Sequence, residues 1–417
     1  MKINKTTAIL FLLLAVIAIT LLSFDISYFW HLRVDIYDQY LSHARSFLAN
    51  LDFAHIGYNE YQPVAVMFFA ALSPSLNIFG DTPLSYIYTV YVVNILLILA
   101  AAILIYRFTG SYTNVFVFAL VLFSMGPIVL HRFELLVFLF VALGILFFVS
   151  KKYFLAGVML GLSIAAKIYP ILFIPYLFYL TIKSQNAKIN TMRFFGGLAV
   201  AGLAVLVLYA GVFQASLPKI FEDLQVHSIK PVHAESVWGT SLTAFHLLKY
   251  NSIPHGNGAH GIFGIDDALI LLPKWFYNYA WLPLVMIFFA IYFYKNRLYS
   301  KAELDVGMFS LVILLFLVVS KVLTAQYLLW FSLLFCLQKV PEQEGQQKLW
   351  SVDLFLILLA GVLSQFVYPL NYDAFQEFYY FYSWSFAPVV LVMAARNGVL
   401  ALLLVKKMTE FFGYKLK

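Results

Sequence analysis

The sequence predicts an all-α protein that crosses a lipid bilayer about twelve times, and its composition and apolar runs carry that prediction. Of its 417 residues, 63% are hydrophobic and only 11% are charged, whereas a soluble globular protein is nearer half apolar and a quarter charged. An apolar excess of this length cannot be buried in one soluble core, so lipid must solvate much of the surface. The 42 Phe and 28 Tyr residues are typical of helices with aromatic belts at both membrane interfaces.

Twelve apolar runs approach the length of about 20 residues that a helix needs to cross the hydrocarbon layer. The first follows Lys2 and Lys5 without a small-x-small cleavage site, which favours an uncleaved helix over a signal peptide. A further stretch, 64–79, is interrupted by Ser73-Pro74-Ser75 and is predicted to dip into the membrane without crossing. The twelve runs lie near 7–23, 86–106, 113–130, 134–150, 153–167, 168–183, 193–213, 277–295, 304–320, 323–338, 352–370 and 383–405.

Lysine and arginine predict the sidedness, because cytoplasmic loops are enriched in both residues. With a cytoplasmic N-terminus and a re-entrant 64–79, seventeen of the 27 basic residues lie inside, nine lie outside, and Arg396 lies in the last run. Fourteen of the 20 acidic residues then lie outside, and a full crossing by 64–79 would invert this order. The two large segments, 24–63 and 214–276, both become outer loops. The chain is therefore expected to be one multi-pass domain that works on the periplasmic or extracellular face of the cell membrane.

Several classes of site are disfavoured by the sequence. The single Cys336 excludes an intramolecular disulfide, and no cysteine and histidine cluster has zinc spacing. Asp266 and Asp267 could form a metal pair, although adjacent acids in a polar loop are usually solvated. The net charge of +7 follows the membrane topology rather than a nucleic-acid-binding patch. No cofactor, metal or nucleic acid is expected.

Ionisable residues cluster at the outer ends of the predicted helices, where charges near lipid are costly and by default functional. The cations lie on the side where positive charge is disfavoured, and each of them could simply snorkel to the headgroups. A set of four favours an anion held at the outer interface, for which a lipid-linked phosphate is the obvious candidate. These cations are Arg132, Lys167, Lys230 and Lys321, and the acids at the same level are Asp35, Asp38, Glu60, Glu134 and Glu235.

Asp35 precedes the stretch 36–53, which reads as an amphipathic interfacial helix. Its carboxylate could be only the N-cap of that helix. Alternatively, a carboxylate beside a bound phosphate could act as a general base toward an acceptor hydroxyl. The sequence leaves both interpretations open.

The same residues resemble the motifs of glycosyltransferase family 87, whose members have the GT-C fold. An aspartate followed by tyrosines opens the first outer loop (Asp35, Tyr37, Tyr40), and 59–63, Asn-Glu-Tyr-Gln-Pro, resembles the family's Glu-Tyr-Pro-Pro. The stretches 132–134 and 167–170 resemble Arg-aromatic-Asp and Lys-x-Tyr-Pro. The stretches 235–238 and 321–327 resemble Glu-Ser and Lys-Val-x-Ser-Pro-Gln-Tyr. The matches run in order from residue 35 to about 330.

This chain also departs from the family pattern at several positions. Glu134 replaces the usual aspartate, Gln62 the first proline, and Thr324-Ala325 the Ser-Pro pair. Lys230 and His233 stand where an arginine and a glutamine are common. Asp35 and Asp38 fit the family spacing to Tyr40 almost equally well, and Asp35 is preferred as the catalytic aspartate.

The resemblance implies a GT-C-type enzyme that transfers a hexose, with mannose favoured, from a polyprenyl-phosphate sugar to a glycolipid or glycan acceptor, with inversion. Asp35 or Asp38 would be the general base. Donor phosphate would be bound by Arg132, Lys167, Tyr169, Lys230, Lys321 and Gln326, and substrate would be oriented by Glu60, Tyr61, Glu134, His233 and Glu235. The main alternative is a transporter or flippase of lipid-linked sugars, although such proteins place their site near the midplane and often contain inverted repeats.

Overall fold

A computed structural model describes residues 3–24, 26–50, 61–212, 225, 228–259, 262–297, 304–338, 342–343, 346–347, 351–381 and 384–413. Helix α1 (Lys5–Phe24) is followed by α2 (Ile26–Asp35), a π-helical turn (Ile36–Tyr40) and α3 (Leu41–Asn50). Asp35 has helical torsions (φ −62°, ψ −35°) and its side chain makes no capping hydrogen bond. The N-cap interpretation of Asp35 is therefore wrong, because helical backbone runs through this position on both sides.

The segment predicted to dip into the membrane forms two short helices, α4 (Pro63–Ala71) and α5 (Pro74–Phe79), followed by the long α6 (Pro83–Thr109). The first half of α6 lies beside the last residues of α1, because Tyr91 OH donates to the Ser23 carbonyl at 3.2 Å. Phe24 also packs on Tyr88, with ring centres 5.5 Å apart. Helix α6 therefore starts at the end of the bundle where α1 finishes. This arrangement fits a segment that returns to the side from which it entered, and the re-entrant interpretation stays a prediction.

The remaining helices form two groups along the chain. The first group is α7 (Tyr112–Met125), α8 (Ile128–His131), α9 (Glu134–Val149), α10 (Tyr153–Ala166), α11 (Ile174–Ile182) and α12 (Ala187–Val212), with a 3₁₀ turn at Tyr169–Phe173 before α11. The second group is α13 (Val237–Tyr250), α14 (Lys274–Tyr279), α15 (Trp281–Asn296), α16 (Gly307–Val319), α17 (Leu328–Phe335), α18 (Val352–Val367), α19 (Tyr372–Phe381) and α20 (Ala387–Phe412). Further 3₁₀ turns lie at Asp267–Leu269, Ala325–Tyr327 and Trp384–Phe386.

The all-α prediction needs a small correction, because two short antiparallel sheets accompany the helices. Strands β1 (Val232–His233), β2 (Gly256–Ala259) and β3 (Ile262–Ile265) form a sheet of order β1-β3-β2 within the second large loop. Val232 and Gly256 both pair with Ile265, on opposite sides of β3. Strands β4 (Glu342–Gln343) and β5 (Gln346–Gln347) form a two-stranded ribbon.

Among the described residues, five helices are long and apolar enough to cross a membrane, or six when the bent pair of α18 and α19 counts as one span. Seven shorter apolar stretches accompany them, of 10–17 residues when a short helix is counted together with the helix or 3₁₀ turn next to it. Each of the twelve predicted runs coincides with a long or a short apolar helix, so the helix assignments agree. A count of twelve crossings is not confirmed, because many of the helices are shorter than a bilayer requires.

The backbones of helices α10 and α12 approach each other very closely where the helices cross, and glycines make this approach possible. A Cβ at Gly157 would lie 2.0 Å from the Phe194 carbonyl oxygen, and one at Gly197 would lie 2.1 Å from that of Phe154. Small residues permit such close backbone approach between membrane helices. This contact anchors α10, whose C-terminal end leads directly into Lys167.

Candidate functional site

A cavity of about 470 Å³ lies at the end of the bundle where α1 finishes. Its lining comes from segments that are far apart in the sequence. The charged and amide side chains around it are Asp35, Asp38, Gln39, Gln62, Lys167, Lys230, Asn278, Lys321 and Gln326. Carboxylates from the first loop and lysines from three later turns therefore line one space.

Asp35 is the last residue of α2, and its side chain lines the cavity. Two side chains from other segments contact its carboxylate. Its Oδ2 lies 3.0 Å from Arg132 Nη2 and accepts a hydrogen bond from Tyr61 OH at 3.4 Å. Asp38, in the following π turn, also lines the cavity but is exposed. Asp38 makes no hydrogen bond or ion pair to the described part of the chain. The two candidate bases differ in that Asp35 is oriented and Asp38 is not.

Arg132 is almost fully buried, at 5% exposed, and its donors are all directed at protein atoms. Nη1 donates to the carbonyls of Leu32 (3.0 Å) and His131 (3.2 Å). Nη2 donates to Tyr368 OH at 3.2 Å as well as pairing with Asp35. Nε donates to the Gln326 side-chain oxygen. A guanidinium has five N–H donors, so this arrangement leaves none for a phosphate.

Lys167 occupies the turn after α10 and projects into a cage of aromatic rings. Its Nζ lies 5.0 Å from the ring centre of Phe133, 5.5 Å from that of Tyr327 and 5.1 Å from that of Trp330. It forms an ion pair with the buried Glu134. Glu134 also accepts a hydrogen bond from Trp330 Nε1 at 2.7 Å. The ammonium is thus compensated by one carboxylate and by ring faces, and it still lines the cavity.

Lys321 lies in the loop after α16, where residues 320–324 connect to the next 3₁₀ turn. Its Nζ donates to the carbonyls of Ser228 (3.0 Å) and Lys230 (2.5 Å), which leaves one of the three ammonium donors for the cavity. Burial, with the neighbouring Lys274 and Lys230, lowers the pKa of Lys321 to about 8, against the opposing effect of Asp267. Lys230 is itself buried and lines the same cavity. Two buried lysines therefore line this part of the cavity.

Stacked rings form the wall below Lys167. Tyr169 lies parallel to Trp330 at a ring distance of 4.2 Å, and Tyr327 stacks on Trp330 at 4.1 Å. Farther along the cavity, Trp281 meets Phe316 edge to face at 5.3 Å. These rings give the cavity an apolar, closely packed wall.

Four predicted site residues of the described chain are not among those that line the cavity: Arg132, Glu134, His233 and Glu235. His233 Nδ1 donates to the Leu323 carbonyl at 2.5 Å, and its backbone N–H donates to the Lys321 carbonyl at 2.9 Å. Glu235 forms a buried ion pair with Arg396 Nη1 at 3.0 Å. His233 and Glu235 therefore contact residues around the cavity, and neither of them lines it.

The acidic pair considered for a metal has separate partners. Asp266 caps the next 3₁₀ turn through the Ala268 N–H at 2.9 Å, and Asp267 pairs with Lys274 at 2.5 Å. Over the described residues, no group of three or more His, Cys, Asp or Glu side chains is arranged to hold a metal ion.

Two predicted site residues remain, Tyr61 and Glu60. Tyr61 holds Asp35 and lines the cavity, while Glu60 lies outside the described residues. The sequence did not predict three contributions to the site: the side chains of Trp330 and Tyr368, and the ion pair that Arg396 forms with Glu235. A charge inside the apolar last run was a usable signal for Arg396, because such a charge requires a partner. An aromatic among many others gave no signal for Trp330 or Tyr368.

Comparison with known proteins identifies a family. The model of a family described as glycosyltransferase family 87 matches residues 58–320, more than half of the chain. No curated protein and no solved structure gives a significant match. The matched range includes Tyr61, Arg132, Lys167 and Lys230 and ends immediately before Lys321.

Proposed function

This chain belongs to glycosyltransferase family 87, and on that premise we propose that it transfers a hexose, with mannose as the first choice, from a polyprenyl-phosphate sugar to an acceptor hydroxyl. Family membership makes it a membrane glycosyltransferase. The donor type, the sugar and the acceptor class, a glycolipid or glycan, are our proposal. The single observation that carries it is one cavity lined by two carboxylates and three lysines, at one end of a bundle of apolar helices.

In the proposed reaction, the acceptor oxygen attacks the anomeric carbon while Asp35 takes its proton. The bond between the anomeric carbon and the phosphate oxygen breaks, and polyprenyl phosphate leaves with the electron pair. The phosphate changes from a singly charged diester to a monoester that carries more negative charge. One displacement of this kind inverts the anomeric configuration.

The lysines of the cavity suit this leaving group. Lys167, Lys230 and Lys321 come from three separate turns and line one space, so their charges add where the phosphate charge grows. Electrostatic stabilisation is strongest where the cations are fixed in advance and water is scarce. The N–H donors of Arg132 are all directed at protein atoms, which argues against phosphate binding. They support a role in which Arg132 orients Asp35 and Gln326.

The proposed site faces the non-cytoplasmic side. The opposite end of the bundle contains contacts such as Lys406 and Lys407 with Asp353 and Lys183 with the Arg297 carbonyl. That end collects most of the lysines and arginines, as expected for cytoplasmic loops. The position of the cavity at one end rather than the midplane also argues against a transporter.

The test uses the purified protein in proteoliposomes that contain extracted membrane lipids as acceptors. Donors labelled in the sugar are polyprenyl-phosphate mannose, polyprenyl-phosphate glucose and a nucleotide-activated mannose. We expect transfer from polyprenyl-phosphate mannose, release of polyprenyl phosphate, and loss of both in the Asp35→Asn/Asp38→Asn double variant. Transfer from the nucleotide sugar alone, or translocation of the donor lipid without sugar transfer, contradicts the proposal.

A further inference from the structure

The last helix, α20, contains a charged residue that does not line the cavity and lies outside the range matched by the family. Arg396 is completely buried. Its Nη1 pairs with Glu235 Oε2 at 3.0 Å, and its Nη2 donates to the backbone carbonyl of the same residue. Asn397 Nδ2 donates to that carbonyl at 3.1 Å and to Thr240 Oγ1 at 2.6 Å. Two consecutive residues of α20 therefore hold one residue of the outer loop by its side chain and its backbone.

The held residue is connected to the lysine side of the cavity through His233. Glu235 Oε1 lies 3.8 Å from His233 Nε2, while His233 Nδ1 donates to the Leu323 carbonyl at 2.5 Å. Burial lowers the pKa of His233, and the proton on its Nδ1 is directed at Leu323, so Nε2 has no hydrogen to donate to Glu235. Glu235 is therefore coupled to His233 by the two-residue stretch of backbone that joins them. The His233 backbone N–H also binds the Lys321 carbonyl at 2.9 Å. The loop 228–235 and the loop 321–323 thus form one hydrogen-bonded unit.

The same unit fixes the ammonium group of Lys321. Its Nζ donates to the carbonyls of Ser228 and Lys230, both in the loop that ends at Glu235. A shift of this loop would therefore move Lys321 and Lys230 together. Close packing adds to the constraint, since a Cβ at Gly239 would lie 2.3 Å from the His233 carbonyl oxygen. Arg396 and Asn397 anchor this assembly on the helix bundle, and Trp238 Nε1 adds a second attachment through the Val319 carbonyl at 2.8 Å.

We propose that Arg396 is a positioning residue for the transfer reaction, which acts through Glu235 and His233 to hold Lys321 and Lys230 toward the donor phosphate. Neither Arg396 nor Glu235 lines the cavity, so neither contacts substrate directly. A buried guanidinium suits this role because its rigid fork can hold a carboxylate and a carbonyl at the same time, which an ammonium cannot do with fixed geometry. The role of Arg396 in sugar transfer rests on the proposed function. Its role in holding Lys321 and Lys230 in place does not.

The kinetic test compares Arg396→Met, Arg396→Lys and Glu235→Gln, each alone and combined with Lys321→Met, in nanodiscs. We expect Arg396→Met to raise the donor KM roughly tenfold while the acceptor KM changes by less than about threefold. Arg396→Lys should recover part of this loss. In the Lys321→Met background, Arg396→Met should add less than about a twofold change, because its route to the phosphate is already removed. Equal costs in both backgrounds, or equal shifts of both KM values, would overturn the proposal.

A second readout needs no transfer activity. Acetylation by a water-soluble succinimidyl ester, followed by mass spectrometry, reports the accessibility of the amine of Lys321, a residue that is 6% exposed. We expect several-fold faster labelling of Lys321 in Arg396→Met, with Lys274 as an internal reference. The matched control is Arg33→Met, which removes another buried guanidinium elsewhere in the fold and should leave Lys321 labelling unchanged.

The two readouts separate the two failures. A wild-type protein without sugar transfer contradicts the proposed function, and the labelling of Lys321 then still decides the positional claim. Unchanged labelling in Arg396→Met contradicts the positional claim even when transfer is robust. If Arg396→Met does not fold, Asn397→Ala removes only the supporting amide and should give a smaller change in the same direction in both readouts.

Discussion

The carboxylate Oδ2 of Asp35 lies 3.0 Å from Nη2 of Arg132, across 97 positions of sequence. The guanidinium reaches Asp35 from the turn between α8 and α9 and has its other donors on backbone carbonyls, Tyr368 and Gln326. Asp35 is therefore oriented by a group that is itself immobilised. Preorganisation of this kind suits a catalytic base, since misplacement by about 1 Å can cost about 10²-fold in rate.

The first prediction separates the two candidate bases. Asp35→Asn should lower kcat by about 10²–10⁴-fold, the range that general base catalysis contributes. Asp38→Asn should cost less than about tenfold, because the Asp38 carboxylate has no orienting partner in the described part of the chain. Initial rates at saturating donor and acceptor measure both effects. The opposite order of losses would assign the base to Asp38.

The second prediction concerns the role of Arg132. Arg132→Lys should lower kcat by about 10²-fold while the donor KM stays within about threefold, because a lysine keeps the charge and loses the fork that orients Asp35 and Gln326. A residue that binds the donor phosphate directly would behave differently and raise the donor KM. The Lys167→Met variant provides the comparison, and we expect its donor KM to rise. A rise in donor KM for Arg132→Lys with unchanged kcat contradicts the orienting role.

The third prediction is a pH dependence. With its pKa lowered to about 8, Lys321 is charged below this pH and neutral above it. The lowering comes from burial with Lys274 and Lys230, and Asp267 opposes it. Affinity for polyprenyl phosphate should therefore be retained below pH 8 and fall as pH rises through 8, by up to about tenfold per unit. Lys321→Arg stays charged, so its affinity should not fall over this range. Identical profiles for wild type and Lys321→Arg would remove Lys321 from this role.

The fourth prediction tests the re-entrant segment. The protein has one cysteine, Cys336, which is buried, so single introduced cysteines can be labelled selectively. If 64–79 does not cross, Ala49→Cys, before the segment, and Asp81→Cys, after it, should react with a membrane-impermeant maleimide from the same side of intact vesicles. Lys152→Cys should react only from the other side. Labelling of Ala49→Cys from the same side as Lys152→Cys, and from the side opposite to Asp81→Cys, would mean that 64–79 crosses the membrane.

The sequence predicted the helix positions well, because hydrophobic runs and basic loops are local signals. It predicted several cavity residues for the same reason, since Lys167 and Lys321 are charges where lipid disfavours them. It could not distinguish the lining residues from their supports. Glu235 and Lys321 are both charged residues near the outer ends of predicted helices, yet only Lys321 lines the cavity. The partner of Glu235 lies 161 positions away, and only tertiary packing reveals such a pairing. The sheet in the second large loop was missed because its strands are at most four residues long.

The fifth prediction concerns the packing that supports Lys167. Helix α10 leads into Lys167 and touches α12 at Gly197, where a Cβ would lie 2.1 Å from the Phe154 carbonyl oxygen. Gly197→Ala should therefore force the helices apart and lower stability by about 1–3 kcal/mol, the usual cost of overpacking. The neighbouring Gly196 has nothing within 4 Å of its Cβ position, so Gly196→Ala should be neutral or slightly stabilising, since alanine favours helix.

Thermal unfolding in detergent, followed by the loss of monodisperse protein, measures both variants against wild type. Because α10 ends at Lys167, we also expect Gly197→Ala to raise the donor KM, while Gly196→Ala leaves it unchanged. Equal midpoints for the two variants would mean that the α10–α12 contact is looser than the glycine geometry indicates. A lower midpoint without any change in donor KM would separate the stability of the bundle from the position of Lys167.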